Sequence, residues 1–302
     1  MKRGDTQETG PIERHNHPLQ HHVRFAASSP SLARYISGYH GYVIDTAPGA
    51  RSEETFFPAW AVICFQISGE RWAMRIGGRR FDPIPGASLF GPTTYAGFAE
   101  FGAGVMIGAG ITPCGWARLI GRDASTLTDQ IVPLSTLFGD RAAALHAEII
   151  GARGFDDQIA VLERFLLARL TESAPEPPEI FEIQQLLADP AIGWVEQASA
   201  ALGMPGWKFA RLCRRYFGFP PKRLIRRARF IRTMMKLHEN PALGWTDLLD
   251  PAYHDQSHFI RDCRDFFGMT PGQILARTQP VGATSMAERT RVLGAPVQVL
   301  QR

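Results

Sequence analysis

The stretch KFARLCRRYFGFPP, residues 208–221, returns fifty residues later as HFIRDCRDFFGMTP, residues 258–271. Phe, Arg, Cys, Arg, Phe, Gly and Pro coincide at seven of the fourteen positions. Each copy follows a short helical pattern and a tight turn, GMPG at 203–206 and PAYH at 251–254. A short helix, a turn and a longer basic helix form the layout of a helix-turn-helix. This internal repeat therefore predicts two such units.

The two faces of each predicted recognition helix differ in chemistry. Apolar side chains recur every fourth residue and are predicted to face the core; they are Phe209, Cys213 and Phe217 in the first copy and Phe259, Cys263 and Phe267 in the second. The opposite face carries polar and cationic side chains, near the end of a recognition helix that meets base edges. The candidate DNA-binding residues are Trp207, Lys208, Arg211, Arg214 and Arg215, followed by Gln256, Ser257, His258, Arg261 and Arg264.

Two of these residue types carry alternative interpretations. Arg211 and Arg261 occupy equivalent places in the repeat, and the guanidinium fork matches the acceptors of guanine. Solvated surface arginines are the other possibility for these positions. Trp207 is either a core residue or a contact to sugar or to a thymine methyl group.

Charge is concentrated around the first copy. Residues 197–238 contain no Asp or Glu but hold eleven of the 33 basic residues of the chain. Such a concentration of positive charge favours a polyanionic partner. A solvated basic helix face is the alternative.

The remaining helices of this region follow from periodicity and from proline and glycine. A long helix is predicted from Pro221 to His238, with proline in its first turn where no N–H is needed. Gly218 and Gly268 are predicted to end the two recognition helices. Shorter helices are predicted over 180–188, 195–202 and 245–249.

The first half of the chain has a different pattern. Short apolar runs such as AVICFQI at 61–67 are broken by glycine and proline, which predicts antiparallel strands in a sandwich or barrel. Helical patterns follow at 140–150 and 156–170, and prolines at 175, 177 and 178 indicate a linker. The fold class is therefore α+β, with an all-α C-terminal domain. We expect a disordered arm (1–31), a strand-rich sensor or dimerisation domain with C-terminal helices (32–170), a linker (171–178), a double helix-turn-helix DNA-binding domain (179–277) and a disordered tail (278–302).

The run DQSHFIR at 255–261, followed by FGMTP at 267–271, resembles the signature of the AraC/XylS-type transcription regulators. The resemblance covers about 179–277. It implies two helix-turn-helix units joined by one long helix, with recognition helices 207–217 and 257–267 in successive major-groove segments. The strand-rich half is similar, in outline, to the effector-binding or dimerisation domains of such regulators.

The resemblance also implies the partners. Duplex DNA is the expected partner, and RNA polymerase, an unknown small-molecule effector and a second copy of the chain are candidates. Whether the protein activates or represses transcription stays open, with activation as the working expectation. The second unit departs from the pattern, because it is one residue shorter before its recognition helix and carries Pro251 and Ala252 there.

Other classes of function find little support. Between residues 32 and 170 the histidines are His40 and His146, too few for a metal-dependent barrel enzyme. His254, His258 and Cys263 lack further ligands to complete a coordination shell. We therefore expect no catalysis, no metal and no cofactor. Four widely spaced cysteines and no long apolar run fit a cytoplasmic protein without membrane spans. A basic helical interaction module, or an RNA-binding one, is the alternative to sequence-specific DNA recognition.

Overall fold

The computed structural model describes residues 19–240 and 242–301. It confirms the α+β class, with a strand-rich N-terminal region and a helical C-terminal region. The first eighteen residues of the expected disordered arm lie outside the described residues. Within the described part, no helix is long and apolar enough to cross a membrane.

The strands of the N-terminal region form two antiparallel sheets. One has the order β1-β2-β9-β4-β7-β10 and the other the order β3-β8-β5-β6. The strands are β1 (Gln20–Ala26), β2 (Ile36–Asp45), β3 (Ser52–Phe56), β4 (Ala61–Gly69), β5 (Ala73–Ile76), β6 (Arg79–Phe81), β7 (Ala87–Phe90), β8 (Gly97–Phe101), β9 (Gly104–Ile111) and β10 (Ile131–Pro133).

Successive side chains along a strand point to opposite faces of the sheet, so the larger sheet contributes to two hydrophobic cores. In β4, Ile63 and Phe65 point towards the helices, whereas Cys64 points between the sheets. Helix α1 (Pro113–Gly115) follows β9, and α2 (Ser135–Phe138), α3 (Asp140–Gly151) and α4 (Phe155–Glu172) follow β10. Leu162 and Leu166 of α4, four residues apart on one helix face, are fully buried in the core on this side. The larger sheet therefore separates a helix-covered core from a core shared with the smaller sheet.

The C-terminal region is built from helices. They are α5 (Glu179–Ala188), α6 (Val195–Ala201), α7 (Gly206–Leu212), α8 (Pro221–Glu239), α9 (Gln256–Phe267), α10 (Pro271–Leu275) and α11 (Pro280–Leu293). A π-helical segment, Cys213–Phe217, continues α7. Gly218 and Gly268 cap the recognition helices with φ of 86° and 70°, a left-handed conformation that favours glycine. Both predicted ends are confirmed.

The connection between the two regions is fastened to the N-terminal one. Residues 173–178 join α4 to α5, and the side chain of Glu176 in this segment is only 6% exposed. Its carboxylate accepts from Arg34 at 2.7 Å and from Arg118 at 3.4 Å. The proline-rich segment therefore has a fixed course at this point.

Both expected disordered ends are wrong where the structure describes them. β1 falls within the expected arm and pairs with β2 over seven residues, because Val23 fills the core between the sheets. α11 falls within the expected tail and packs against β1 and β3. Its small residues, such as Gly282, Ala283 and Ser285, give a weak apolar periodicity. These residues allow close packing on a sheet. Because they form no clear apolar periodicity, the sequence pattern did not predict the helix.

The helix expected over 245–249 is also wrong, because residues 245–248 form a turn. Gly244 precedes this stretch and Pro251 follows it. A helix confined to so few residues forms too few hydrogen bonds to offset the unfavourable free energy of nucleation. Trp245 still packs beside Phe259 of α9, with ring centroids 5.7 Å apart. The apolar contacts of a first helix are thus kept without the helix.

Candidate nucleic-acid interface

The first recognition helix, α7 with its π-helical continuation, separates buried from exposed side chains as the repeat predicts. Phe209, Cys213 and Phe217 are fully buried. Trp207 is 68% exposed on the other face, so the core alternative for this residue is wrong. The Arg211 guanidinium lies over its ring, 5.5 Å from the centroid, which aligns an aromatic and a cationic side chain on the exposed surface.

The second recognition helix, α9, is regular over its twelve residues. The Asp255 carboxylate caps its start by accepting from the backbone N–H of His258 at 2.7 Å. Phe259, Cys263 and Phe267 are buried in the core. The helix therefore repeats the inward face of the first unit.

The candidate DNA-binding residues fall into two strips. Three- and four-residue steps place Trp207, Arg211, Arg214 and Arg215 together on the first helix and Ser257, Arg261 and Arg264 together on the second, and Gln256 begins the second strip. All eight are exposed.

Two candidate residues have partners inside the protein instead. Lys208 Nζ forms an ion pair with Glu179 Oε1 of α5 at 2.8 Å. His258 Nε2 lies 2.9 Å from a guanidinium nitrogen of Arg229. Burial, with the charge of Arg229, lowers the pKa of His258, so this side chain is neutral at physiological pH.

The arginines of α8 correct the interpretation of the charge cluster. Asp262 of α9 is fully buried and accepts from Arg226 at 2.5 Å and from Arg229 at 3.4 Å. Arg223 and Arg226 also pair with Asp265 of α9. These side chains hold α8 against α9 and contribute little to the external field.

The remaining buried arginines of α8 are also bound within the protein. Arg232 pairs with Asp250 at 2.9 Å. Arg227 donates to the carbonyl oxygens of Thr93 and Ala59, at 2.7 and 3.3 Å. Burial lowers the pKa of Arg227 to about 9, which leaves it protonated at neutral pH. The acidic partners lie 18 to 42 residues further along the chain, outside the stretch 197–238 that contains no Asp or Glu.

The C-terminal ends of both recognition helices abut the N-terminal region. The Ala96 N–H donates to the Phe266 carbonyl at 2.8 Å. A Cβ on Gly218 would come within 2.6 Å of the Thr128 methyl group. Five of the eight strip residues lie in the opposite, N-terminal halves of the two helices: Trp207, Arg211, Gln256, Ser257 and Arg261.

A family model described as a helix-turn-helix domain matches residues 198–277. This match, together with the two repeat-related units, places the C-terminal domain among the AraC-type helix-turn-helix domains of transcription regulators. The resemblance noted from the sequence signature is confirmed for this domain. No curated protein matches the chain.

Three solved structures are similar to the chain at low sequence identity. An apo single-residue variant of ToxT from Vibrio cholerae is 10% identical, with a TM-score of 0.43, covering 86% of this chain and 97% of that chain. Wild-type ToxT from Vibrio cholerae bound to an unsaturated fatty acid is also 10% identical, with a TM-score of 0.43 and coverages of 85% and 94%. The AraC-like transcriptional activator CuxR is 13% identical, with a TM-score of 0.28 and coverages of 70% and 85%.

Proposed function

We propose that the protein is a sequence-specific transcription regulator that inserts its two recognition helices into successive segments of the major groove. The exposed strips on these helices carry the proposal. Five arginines of α8 are held by internal partners, whereas Arg211, Arg214 and Arg215, and Arg261 and Arg264, project into solvent. Exposed cations at repeat-related positions suit a ligand with a repeating, negatively charged surface.

Duplex DNA offers a separate groove segment to each of two such helices. A major groove admits one α-helix, and neighbouring groove segments on one face are about 34–36 Å apart. Arg211 and Arg261 would read bases, since each sits in the first half of its helix. Arg214, Arg215 and Arg264 lie one turn further on and would contact phosphates.

Binding to full-length protein can be measured on DNA selected from a random duplex pool. If six to ten phosphates are contacted, affinity should fall about 10³- to 10⁵-fold between about 50 and 200 mM salt. An RNA hairpin of equal length is the control competitor. Equal competition by the hairpin, or a pool that yields no consensus, would favour the alternative of a basic or RNA-binding module.

The N-terminal region is proposed to sense a small effector. Two aromatic side chains connect it to the DNA-binding domain: Phe57 lies beside Phe267, with ring centroids 5.2 Å apart, and Trp60 lies edge-on to Phe217 at 5.4 Å. Each recognition helix therefore ends against one of them. Both side chains also line a cavity in the N-terminal region, so an occupant would touch the contact directly. Dimerisation and contact with RNA polymerase stay predictions.

A further inference from the structure

A cavity of about 230 Å³ lies between the two sheets. Its walls are largely apolar and include Trp72, Met74, Ile84 and Met106. Apolar cavities with a few convergent polar groups are the usual form of small-molecule sites. The chemistry of those polar groups indicates which molecules the cavity would accept.

One wall of the cavity comes from α11, the helix that follows the DNA-binding domain. Gly282, Ser285, Arg289 and Leu293 recur at steps of three or four residues, which puts them on the face towards the cavity. The Glu54 carboxylate fixes the start of this helix by accepting from the N–H groups of Val281 at 2.9 Å and Gly282 at 3.2 Å.

Arg289 is the unusual member of this face. It is 7% exposed, and of the side chains that line the cavity in the described part of the chain it alone is charged. Its guanidinium donates to the carbonyl oxygens of Ala295 and Ser37 and to the Gln301 side chain. Throughout residues 19–240 and 242–301, no carboxylate pairs with it. Burying a guanidinium without a counter-charge is costly.

Other arginines of the protein have a carboxylate partner. Arg291, two residues further along α11, is exposed and pairs with Glu288 at 2.7 Å. Arg229 and Arg232, both buried in α8, face carboxylates. Among the described residues, the buried charge that faces the cavity has no carboxylate of this kind. Arg227 is also buried and bound by carbonyl oxygens, but it does not line the cavity.

The polar groups of the cavity gather around α11. The Tyr42 hydroxyl and Ser285 Oγ are 2.8 Å apart. Burial and the nearby charge of Arg289 lower the pKa of His40 to about 4, so the imidazole is neutral at physiological pH. The net charge at this end is positive, whereas the wall formed by β5 is apolar.

We propose that this cavity binds a small organic acid with an apolar body, and that Arg289 pairs with its carboxylate. A guanidinium fork matches a carboxylate in shape, and the charge-assisted hydrogen bonds strengthen in a site with little water. The apolar body would lie against Trp72, Met74 and Met106. The assignment rests on the proposed sensing function and names the class of effector.

Calorimetric titration of the full-length protein with matched probes tests this assignment. The probes are decanoate and 2-naphthoate, each compared with its neutral carboxamide. At least one carboxylate should bind about tenfold or more tightly than its amide, the change expected when a hydrogen bond gains a charged partner. Equal affinity within both pairs, or no binding of either carboxylate at about 1 mM, would overturn the assignment.

Two variants locate the preference on Arg289. Arg289→Gln should lower carboxylate affinity about tenfold or more while amide affinity stays near that of the wild type, which also reports an intact cavity. Arg291→Gln, on the exposed face of the same helix, is the control and should change neither. A preference that survives Arg289→Gln refutes the assignment. If that variant does not fold, the comparison of each acid with its amide in the wild-type protein decides whether the cavity prefers a carboxylate.

DNA binding measured on the same samples separates this inference from the proposed function. A carboxylate preference without an effect on DNA affinity supports the site and contradicts the sensing role. If the protein binds none of the acids and its DNA affinity responds to none of them, the proposed ligand class is wrong. The proposed DNA-binding function is unaffected by that result.

Discussion

The two helix-turn-helix units share an inward face but are held in the molecule by different forces. In the first unit, Leu212 is buried among apolar side chains, and α6 supplies the supporting helix. The equivalent residue of the second unit is Asp262, which is fully buried among arginines of α8 and the Tyr253 hydroxyl. A turn replaces the supporting helix there.

This difference shows that the two copies of a repeat can keep the same exposed face although one is held by apolar packing and the other by buried ion pairs. Apolar packing tolerates small shifts, whereas a buried ion network needs all its partners in place. The second unit therefore depends more strongly on α8 than the first does.

The largest effect is expected from Asp262→Leu, which copies the first unit into the second. Arg229, 2% exposed, would lose its carboxylate partner, and unfolding free energy should fall by about 3–5 kcal/mol. Urea denaturation measures the loss. The double variant Asp262→Leu with Arg229→Met should recover part of it, because both members of that pair are then apolar. A loss below about 1 kcal/mol would show that the network contributes little.

Arg211→Ala and Arg261→Ala compare the exposed faces of the two units. Each should cost about 1–3 kcal/mol of binding free energy and relax base preference at one position of its own half-site. Arg153→Ala, an exposed arginine after α3, is the matched control and should leave affinity unchanged. A uniform loss over all base substitutions would assign both arginines to phosphate contacts.

The two aromatic contacts with the N-terminal region should affect the units separately. Phe57→Leu should speed hydrogen exchange in α9, and Trp60→Phe should speed it in α7. Each change keeps an apolar side chain, so opening should become easier by about 1 kcal/mol or less. Identical exchange changes in both helices after either substitution would mean that the units move as one body.

The smallest effect concerns pH and the second unit alone. Folding lowers the pKa of the His258 imidazole. As pH falls below about 6.5, the imidazole is therefore protonated in the unfolded chain before it is protonated in the folded one, and stability is lost. His258→Gln should reduce the stability lost between about pH 7 and pH 5, measured by thermal unfolding at each pH. Ser257→Ala, exposed on the same helix and without a titratable group, is the control and should leave the loss unchanged. An unaltered loss in His258→Gln would exclude this contribution.

Sequence reasoning reached the parts of the molecule that local patterns encode. The repeat identified both recognition helices and the burial of Cys213 and Cys263, because helical spacing alone sorts those positions into faces. It could not sort the arginines of α8. Whether Arg229 faces solvent or Asp262 depends on how two helices pack, and a count of charges along the chain does not contain that information.

The cavity was similarly out of reach. Tyr42 and Arg289 are 247 residues apart, and they lie at one cavity only because α11 returns to the sheets. The short apolar runs of the N-terminal half predicted strands and contained no sign of the polar end of the cavity. The first half of α11 has small residues on its packing face, so its sequence shows only a weak helical pattern.

The return of α11 to the N-terminal region gives the DNA-binding domain two attachment points. One is the segment 173–178, where the side chain of Glu176 is only 6% exposed, and the other is 276–279, where Arg277 pairs with Glu53 at 2.8 Å. Movement of the domain relative to the N-terminal region would have to bend both connections and also separate the ring pairs Phe57–Phe267 and Trp60–Phe217. Because the chain is tied to the N-terminal region on both sides of the domain, these ring pairs stay close to each other even when the surface contacts open.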